Sequence, residues 1–263
     1  MLNVSDVSKT FRGRRGSEPV TALDEVSLSI PDGGIVGLVG ESGSGKSTLL
    51  RVIMRLESAD SGEVELDGRN LLKMSGRELR GVRRRIQMVF QNPMGSLSPR
   101  RTVGKIIEEG MTTHGLYPDR AEREQRIGEL LELVHLDRDD ARRYPASFSG
   151  GQRQRIAIAR ALAVDPEILV CDEAVSALDV SVQAQVLNLL KDMHDQLGLS
   201  ILFVAHDLAV VRYLCPEIYV LQQGRIVEHG DREQIFRNPV HPYTRELLDA
   251  VPVLDPDADW LAS

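Results

Sequence analysis

The sequence has few cysteines, no excess of positive charge and no long apolar run. Its two cysteines, Cys171 and Cys215, lie far apart and form no C-x-x-C pair, so we expect neither a disulfide framework nor a cysteine-ligated metal. The net charge of −7 gives no general attraction to nucleic acid, and we expect no such partner. No apolar stretch reaches the roughly 18 residues of a membrane-spanning helix, and the first residues lack a signal-peptide pattern.

The composition that remains is that of an ordinary globular chain. Of its 263 residues, 42% are hydrophobic, which is enough for one large domain or for one domain with a satellite. The scarcity of cysteine suits a reducing cytoplasm. Two basic clusters, at positions 12–15 and 83–85, are expected to be mostly solvated surface. The acidic C-terminal end is expected to be disordered.

Apolar patterns predict an α/β fold with parallel strands. Helical periodicity begins at Lys46 and returns from Thr102 to about Leu136, where we find no strand pattern. A helical stretch separates the apolar runs Ile168–Val170 and Ile201–Val204, and strand–helix–strand order implies a parallel sheet with crossover helices. Further strands are predicted at Asn3–Ser8, Ala22–Ile30, Gly34–Val39 and Ile86–Phe90.

A glycine-rich stretch follows one of these strands and fits the pattern G-x-x-x-x-G-K-[ST]. Glycines allow successive backbone N–H groups to turn inward around phosphates, and the following helix adds its positive N-terminal end. Lys46 would reach the β- and γ-phosphates, and Ser47 would place its hydroxyl on Mg²⁺. The sequence therefore predicts a site for ATP and Mg²⁺ formed by Gly40, Glu41, Ser42, Gly43, Ser44, Gly45, Lys46, Ser47 and Thr48.

Two adjacent carboxylates end the apolar strand that begins at Ile168. Ligands gather at the carboxyl ends of parallel strands, so we expect Asp172 beside the phosphate loop, where it would hold the Mg²⁺ shell. Glu173 stands one residue further along, just beyond the strand. It is placed to polarise a water for in-line attack on the γ-phosphate.

A second glycine pair opens a predicted helix that runs to about Leu162. The N-terminus of that helix is a second candidate anion site, and its residues are Ser149, Gly150, Gly151 and Gln152. One nucleotide can occupy both anion sites only if the two sites come from different chains. The stretch Phe148–Arg155, just ahead of the two carboxylates, resembles the signature sequence of the ATP-binding cassette (ABC) ATPases.

This resemblance implies roles for residues that the spacing alone does not identify. Gln91 resembles the glutamine that contacts Mg²⁺ and water and senses the γ-phosphate, so Ser47, Gln91 and Asp172 are the implied metal ligands. His206 resembles the switch histidine of the family. The implied catalytic residues are therefore Glu173, His206 and Gln91.

Other positions follow from the same resemblance, which extends from Leu2 to about Arg237. Phe11 is the candidate for stacking on adenine. Asp179 belongs to a stretch that resembles the D-loop, which lies across the seam of two cassettes. Where the family usually has proline after the catalytic glutamate, this chain has Ala174, which should loosen the turn and leave both carboxylates in place.

The family fold is a P-loop NTPase cassette with a mixed parallel core sheet, an antiparallel β subdomain and a helical subdomain. By this resemblance, residues 1–101 and 161–237 form the ATP-binding core. Residues 102–160 form the helical signature subdomain, and residues 238–263 form a C-terminal extension that carries a His-Pro-Tyr-Thr motif.

Three stretches are similar to the peptide and nickel importer group of this family, namely residues 87–100, 177–188 and 238–244. Longer peptide-importer ATPases carry a C-terminal extension, which in some members has a cysteine cluster that binds iron and sulfur. Because no cysteine follows Cys215, we expect no such cluster here.

The implied function is ATP hydrolysis that energises an importer for di- or oligopeptides. The implied partners are two transmembrane permease subunits, a second ATPase cassette that is identical or different, and indirectly an extracytoplasmic substrate-binding protein. The chain would lie peripherally at the cytoplasmic face of the cell membrane. Alternatives are a nickel or glutathione importer ATPase and a soluble accessory ATPase of phosphonate breakdown. A DNA-repair or chromosome-organising ATPase would need heptad arms or zinc cysteines, which this chain lacks.

Overall fold

The computed structural model of the protein describes residues 1–12 and 18–250. Most of the first basic cluster and the acidic C-terminal end, both interpreted above, lie outside the described residues. The chain folds as two compact units. The first unit contains Met1–Val82 and Ser200–Ser263, and the second contains Arg83–Leu199.

The described residues form ten strands and ten α-helices. In chain order these are β1 (Leu2–Phe11), β2 (Val20–Ile30), β3 (Ile35–Val39), α1 (Lys46–Ile53), β4 (Ser61–Leu66), β5 (Arg69–Asn70), α2 (Gly76–Arg85), β6 (Ile86–Val89), α3 (Pro93–Ser96), α4 (Val103–His114), α5 (Arg120–Leu133), α6 (Gly150–Leu162), β7 (Ile168–Asp172), α7 (Val180–Leu197), β8 (Ser200–Ala205), α8 (Leu208–Leu214), β9 (Glu217–Gln222), β10 (Arg225–Asp231), α9 (Arg232–Arg237) and α10 (Pro242–Asp249).

The first unit contains an antiparallel sheet with the strand order β2-β1-β4-β5. Val4 on the central strand β1 lies opposite Leu28 of β2 and Val64 of β4. All three side chains are buried, as expected when alternate residues of a half-buried strand face one core.

The first unit also contains a mixed sheet in which the strand order β10-β9-β3-β8 places β3 in the interior. Strand β3 runs parallel to both β8 and β9, while β9 and β10 are antiparallel. All five residues of β3 and all six of β8 are buried, which is typical of parallel strands covered on both faces. The loop after β3 therefore starts from a buried strand that is paired on both sides.

The second unit combines a parallel strand pair with helices. Strands β6 and β7 pair in parallel, and Val89 lies opposite Cys171 near their carboxyl ends. Cys171 is fully buried, and burial raises the pKa of its thiol to about 12, so it serves as a small apolar core residue. The sequence predicted both of these strands, though not their pairing, and the helical run after Thr102, and the structure confirms the α/β fold.

The second basic cluster is partly covered, and only Arg83 of its three residues is exposed. Arg84 and Arg85 are half-buried, although their cluster was expected to be mostly solvated. The Arg84 guanidinium donates a hydrogen bond to the carbonyl of Val164 at 3.0 Å, and Arg85 forms an ion pair with Glu167. Arg84 and Arg85 are the last residues of α2. A carbonyl and a carboxylate shortly before β7 accept their hydrogen bonds.

None of the helices in residues 1–12 and 18–250 is both long enough and apolar enough to cross a membrane.

Candidate functional site

The glycine-rich loop between β3 and α1 has a backbone that only glycine can supply at two positions. Gly45, which caps the N-terminus of α1, has a φ of 114°, and a Cβ there would overlap the carbonyl oxygen of Ala22. At Gly40, a Cβ would overlap the carbonyl oxygen of Leu221. The loop is therefore packed against neighbouring backbone at both of its ends. We call residues 40–47 the phosphate loop.

Lys46 lies inside the phosphate loop. It is only 5% exposed. Its Nζ donates hydrogen bonds to the carbonyl oxygens of Gly40 at 2.6 Å and of Glu41 at 2.9 Å. Two carbonyl groups of the loop's own backbone thus hold the ammonium charge of Lys46 within the loop.

Further hydrogen bonds hold the phosphate loop to the rest of the first unit. The Ser44 carbonyl accepts the N–H of Gly224, in the turn between β9 and β10, at 2.8 Å. Within the loop, the Ser44 N–H donates to the Glu41 carbonyl at 3.1 Å. The Glu41 N–H donates to the hydroxyl of Tyr243 on α10 at 3.0 Å. The sequence interpretation missed this tyrosine contact, because it treated the motif that contains Tyr243 only as a subfamily marker.

The first turn of α1 continues directly from the phosphate loop. The first intrahelical acceptor is Gly45, whose carbonyl accepts the N–H of Leu49 at 2.9 Å, so the earlier N–H groups have no intrahelical partner. Ser47 is exposed and Thr48 is half-buried on this turn. A helix N-terminus with such donors and a neighbouring lysine charge is an anion site.

His206 lies at the same sheet edge as the phosphate loop. In the parallel pair of β3 and β8, Val39 lies opposite Ala205, so Gly40 and His206 leave neighbouring strands at their carboxyl ends. His206 is exposed. The residue after it, Asp207, caps α8 by accepting the N–H of Ala209 at 2.8 Å, which fixes the turn that carries the histidine.

Phe11 ends β1 in the first unit. Its side chain is 37% exposed, and the ammonium of Lys9 lies 5.3 Å from the centroid of its ring. An exposed aromatic face at the end of a strand is available for stacking, although residues 13–17, which follow Arg12, lie outside the described part of the chain.

In the second unit, the strand register brings the glutamine and the glutamate together. Val89 of β6 lies opposite Cys171 of β7. Gln91 and Glu173 each follow two residues later. The Gln91 Nε2 donates to the Glu173 carboxylate at 2.9 Å and to the Ser176 hydroxyl at 3.3 Å. We call Gln91, Glu173 and Ser176 the glutamate corner.

Glu173 has a backbone that few non-glycine residues adopt. Its φ is 46°, in the left-handed region, which costs about 1–3 kcal/mol and occurs often at functional positions. The Glu173 carbonyl accepts hydrogen bonds from the N–H of Ser176 at 3.1 Å and from its hydroxyl at 3.0 Å. Asp172, one residue earlier, ends β7 and is half-buried. The turn is thus held despite alanine at position 174.

The segment from Val175 to Asp179 is held by one side chain of α7. Gln183 Nε2 donates to the carbonyls of Val175 and Leu178, both at 3.0 Å. Asp179 occupies the N-cap position of α7, but its carboxylate makes no cap hydrogen bond to that helix. It is exposed, so its charge faces outward.

The signature segment begins α6 with a capping box. The Ser149 hydroxyl accepts the N–H of Gln152 at 3.3 Å, and the Gln152 side chain accepts the N–H of Ser149 at 2.9 Å. The two glycines differ. A Cβ at Gly151 would overlap a methyl group of Val182, whereas a Cβ at Gly150 would meet nothing closer than 3.5 Å. Packing within the unit therefore requires Gly151 and leaves Gly150 exposed.

The predicted residues thus fall into two sets. The first unit carries Phe11, residues 40–48 and His206. The second unit carries Gln91, Ser149, Gly150, Gly151, Gln152, Asp172, Glu173 and Asp179. The hydroxyl, amide and carboxylate oxygens of Ser47, Gln91 and Asp172 are hard donors of the kind that Mg²⁺ prefers.

Comparison with known proteins gives matches over nearly the whole chain. Residues 23–176 match the family described as ABC transporter. Residues 227–263 match the family described as the C-terminal region of oligopeptide/dipeptide transporters.

Individual relatives are similar along the same length. The chain is 47% identical over 256 residues to the oligopeptide transport ATP-binding protein OppF of Streptococcus mutans, covering 97% of this chain and 83% of that protein. It is 49% identical over 258 residues to OppF of Bacillus subtilis, covering 98% of this chain and 84% of that protein. A dimeric ATP-binding cassette solved in a post-hydrolysis state with ADP and Pi matches with a TM-score of 0.79 at 34% identity, covering 88% of this chain and 99% of that one.

Proposed function

The chain belongs to the ABC transporter family, and we propose that it is the ATP-binding and ATP-hydrolysing subunit that energises a peptide importer. The observation that carries this proposal is the phosphate loop with its buried lysine. The same chain has a C-terminal part that matches the C-terminal region of oligopeptide/dipeptide transporters. The relatives named oligopeptide transport ATP-binding proteins support the peptide assignment.

Nucleotide binding rests on the phosphate loop. Lys46 is held by two carbonyls of the loop, so its charge is in place to meet the β- and γ-phosphates of ATP. The first N–H groups of α1 donate to the same phosphates. Phe11 supplies its exposed ring to the adenine.

Mg²⁺ accompanies the nucleotide, and Ser47, Gln91 and Asp172 are its proposed protein ligands. Gln91 uses its amide nitrogen in its bonds to Glu173 and Ser176, which is consistent with an amide oxygen that turns to a metal. When bound, the ion would neutralise charge on the phosphates.

Hydrolysis is the task of the glutamate corner and His206. Glu173 orients a water and accepts its proton as the water attacks the γ-phosphate, and the bond from the γ-phosphorus to the bridging oxygen breaks, which releases ADP and inorganic phosphate. The Gln91 amide donates to the Glu173 carboxylate at 2.9 Å. Because Gln91 is also a proposed Mg²⁺ ligand, nucleotide binding would change the position of Glu173. His206, which leaves the strand beside the phosphate loop, contacts the γ-phosphate.

A second cassette completes the site. The exposed Gly150 and the N–H groups that open α6 would meet the nucleotide held by the phosphate loop of the partner, with Ser149, Gly151 and Gln152 forming the same turn. Asp179, whose carboxylate makes no cap hydrogen bond to α7, would lie at the seam. The partner is an identical copy or a different ATPase. ATP closes the pair, and hydrolysis reopens it.

The cassettes dock on two permease subunits at the cytoplasmic face of the cell membrane. An extracytoplasmic binding protein delivers the peptide to the permeases. Residues 23–176, which match the ABC transporter family, thus supply the energy of ATP, while the cargo is selected elsewhere in the assembly.

Uptake of a labelled tripeptide by cells that express the chain with its permeases and binding protein tests this function. We expect Lys46→Ala to abolish uptake, because the phosphate loop loses its charge. Lys105→Ala is the control, since Lys105 is an exposed partner of Glu108 on α4, and it should leave uptake unchanged. Uptake of nickel in place of peptide, or peptide uptake that survives Lys46→Ala, would contradict the proposal.

A further inference from the structure

The C-terminal helix α10 makes a direct contact with the phosphate loop. The hydroxyl of Tyr243, the second residue of α10, accepts the N–H of Glu41 at 3.0 Å. Tyr243 is 4% exposed. This contact joins positions 202 residues apart in the chain.

The Tyr243 contact acts on one peptide group that Lys46 also holds. The carbonyl of the peptide between Gly40 and Glu41 accepts the Lys46 ammonium at 2.6 Å, and its N–H donates to Tyr243. A peptide group is planar and rigid, so holding both of its ends fixes the direction of its carbonyl. The position of the lysine charge therefore depends on the tyrosine hydroxyl.

Tyr243 is itself fixed by a carboxylate of β10. Glu228 is 8% exposed and accepts the N–H groups of Val240 at 2.8 Å and of His241 at 3.0 Å. The His241 side chain then caps α10 by accepting the N–H of Tyr243 at 3.2 Å. With Pro242 at the first helical position, the start of α10 has little freedom.

The chemical state of the tyrosine suits this contact. Burial raises the pKa of Tyr243, an effect that outweighs the opposing hydrogen bond from the Glu41 N–H. The phenol therefore remains neutral at physiological pH. A neutral hydroxyl accepts the amide proton without placing a negative charge near the site proposed for phosphates.

We propose that Tyr243 is a positioning residue for nucleotide binding, which acts by fixing the Gly40–Glu41 peptide and through it the Lys46 ammonium. The C-terminal His-Pro-Tyr-Thr segment is on this view part of the ATP-binding apparatus. The proposal rests on the proposed function, in that the phosphate loop binds ATP.

Tyr243→Phe removes the hydroxyl and keeps the ring in its buried place. Tyr219→Phe is a matched control, because Tyr219 is also buried in the first unit and its hydroxyl also accepts a backbone N–H, that of Ser29 at 3.2 Å. The probe is ATP with Mg²⁺, added to the full chain in a calorimeter, together with thermal melts of both variants. Hydrogen exchange at the amides of residues 40–46 reports on the loop itself.

We expect both variants to lose similar stability. Tyr243→Phe should weaken ATP binding about three- to tenfold, the loss that one backbone hydrogen bond supports, and should speed exchange in the loop. Tyr219→Phe should leave the dissociation constant within about twofold. Equal ATP affinity in the wild type and Tyr243→Phe would overturn the positioning role alone. A wild-type chain that binds no ATP would overturn the proposed function and this proposal with it.

Discussion

The phosphate loop and the glutamate corner differ in what holds them. The phosphate loop is fixed by backbone contacts, by glycines that admit neighbouring carbonyls, and by a lysine that is 5% exposed. The glutamate corner depends more on side chains: an exposed hydrogen bond from Gln91 and a partly buried one from the Ser176 hydroxyl add to one backbone bond, around a residue with a φ of 46°. Side chains exchange partners easily, whereas a loop closed by its own backbone does not.

This difference separates two functions. In the proposed function, a loop that is already held in place needs little ordering when phosphates bind, which reduces the cost of binding. The glutamate corner is held in one arrangement by weak bonds that can be replaced by bonds to water, metal or a partner cassette. Binding should therefore survive changes that abolish hydrolysis.

The largest effect is expected for Glu173→Gln, which removes the proposed general base from the glutamate corner. Turnover of the assembled cassettes should fall by about 10²- to 10⁴-fold, measured by phosphate release. Glu167→Gln is the control. It alters a carboxylate at the opposite end of β7 that pairs with Arg85, and it should leave turnover unchanged. Wild-type turnover by the Glu173→Gln chain would remove Glu173 from the mechanism.

The two glycines of the signature segment should separate folding from assembly. Gly151→Ala drives a methyl group into Val182, so it should cost about 1–3 kcal/mol of stability in urea unfolding. Gly150→Ala meets no close neighbour, so its stability should change by less than about 0.5 kcal/mol. Its turnover in the assembled pair should nevertheless fall about tenfold or more, because a misplaced nucleotide reacts slowly. Normal turnover in Gly150→Ala would argue against a nucleotide contact at that glycine.

The last prediction concerns stability alone, at the start of α10. Burial acts to raise the pKa of Glu228, but the hydrogen bonds that its carboxylate accepts outweigh burial and lower that pKa below its ordinary 4.5. A lowered pKa stabilises the fold above about pH 4.5, and the contribution is lost as the pH falls through the folded-state value. Glu228→Gln should therefore lose about 1.5–3 kcal/mol at pH 7.

Urea unfolding of both chains at several pH values checks the Glu228 prediction. The difference between the wild type and Glu228→Gln should shrink as the pH falls below about 4.5. A difference that stays constant from pH 7 to the acid limit would show that the carboxylate charge is not what stabilises this turn.

Local patterns predicted the elements of the phosphate loop well. Strand β3 was expected at Gly34–Val39 and helix α1 from Lys46, and the structure gives Ile35–Val39 and Lys46–Ile53. A continuous apolar run, a glycine-rich turn and helical periodicity are all local signals, and here they agree. The resemblance to ABC ATPases, based on the signature stretch, is confirmed by the family match.

Contacts between distant positions could not be predicted in the same way. Strands β4, β5, β9 and β10 were not identified, although the apolar run Ile218–Leu221 within β9 is visible in the sequence. The contact of Tyr243 with Glu41 depends on how α10 packs, and nothing local to either residue encodes it. The same holds for Gln183, whose two hydrogen bonds to the segment after Glu173 follow from the register of α7.

The most direct test of the separation between binding and hydrolysis is the ATP dissociation constant of the Glu173→Gln chain. It should be measured by calorimetry at dilutions where light scattering shows only monomer. The account predicts a constant within about twofold of the wild type, since the phosphate loop and its contacts all lie in the first unit. Binding that weakens in step with the loss of turnover would contradict it.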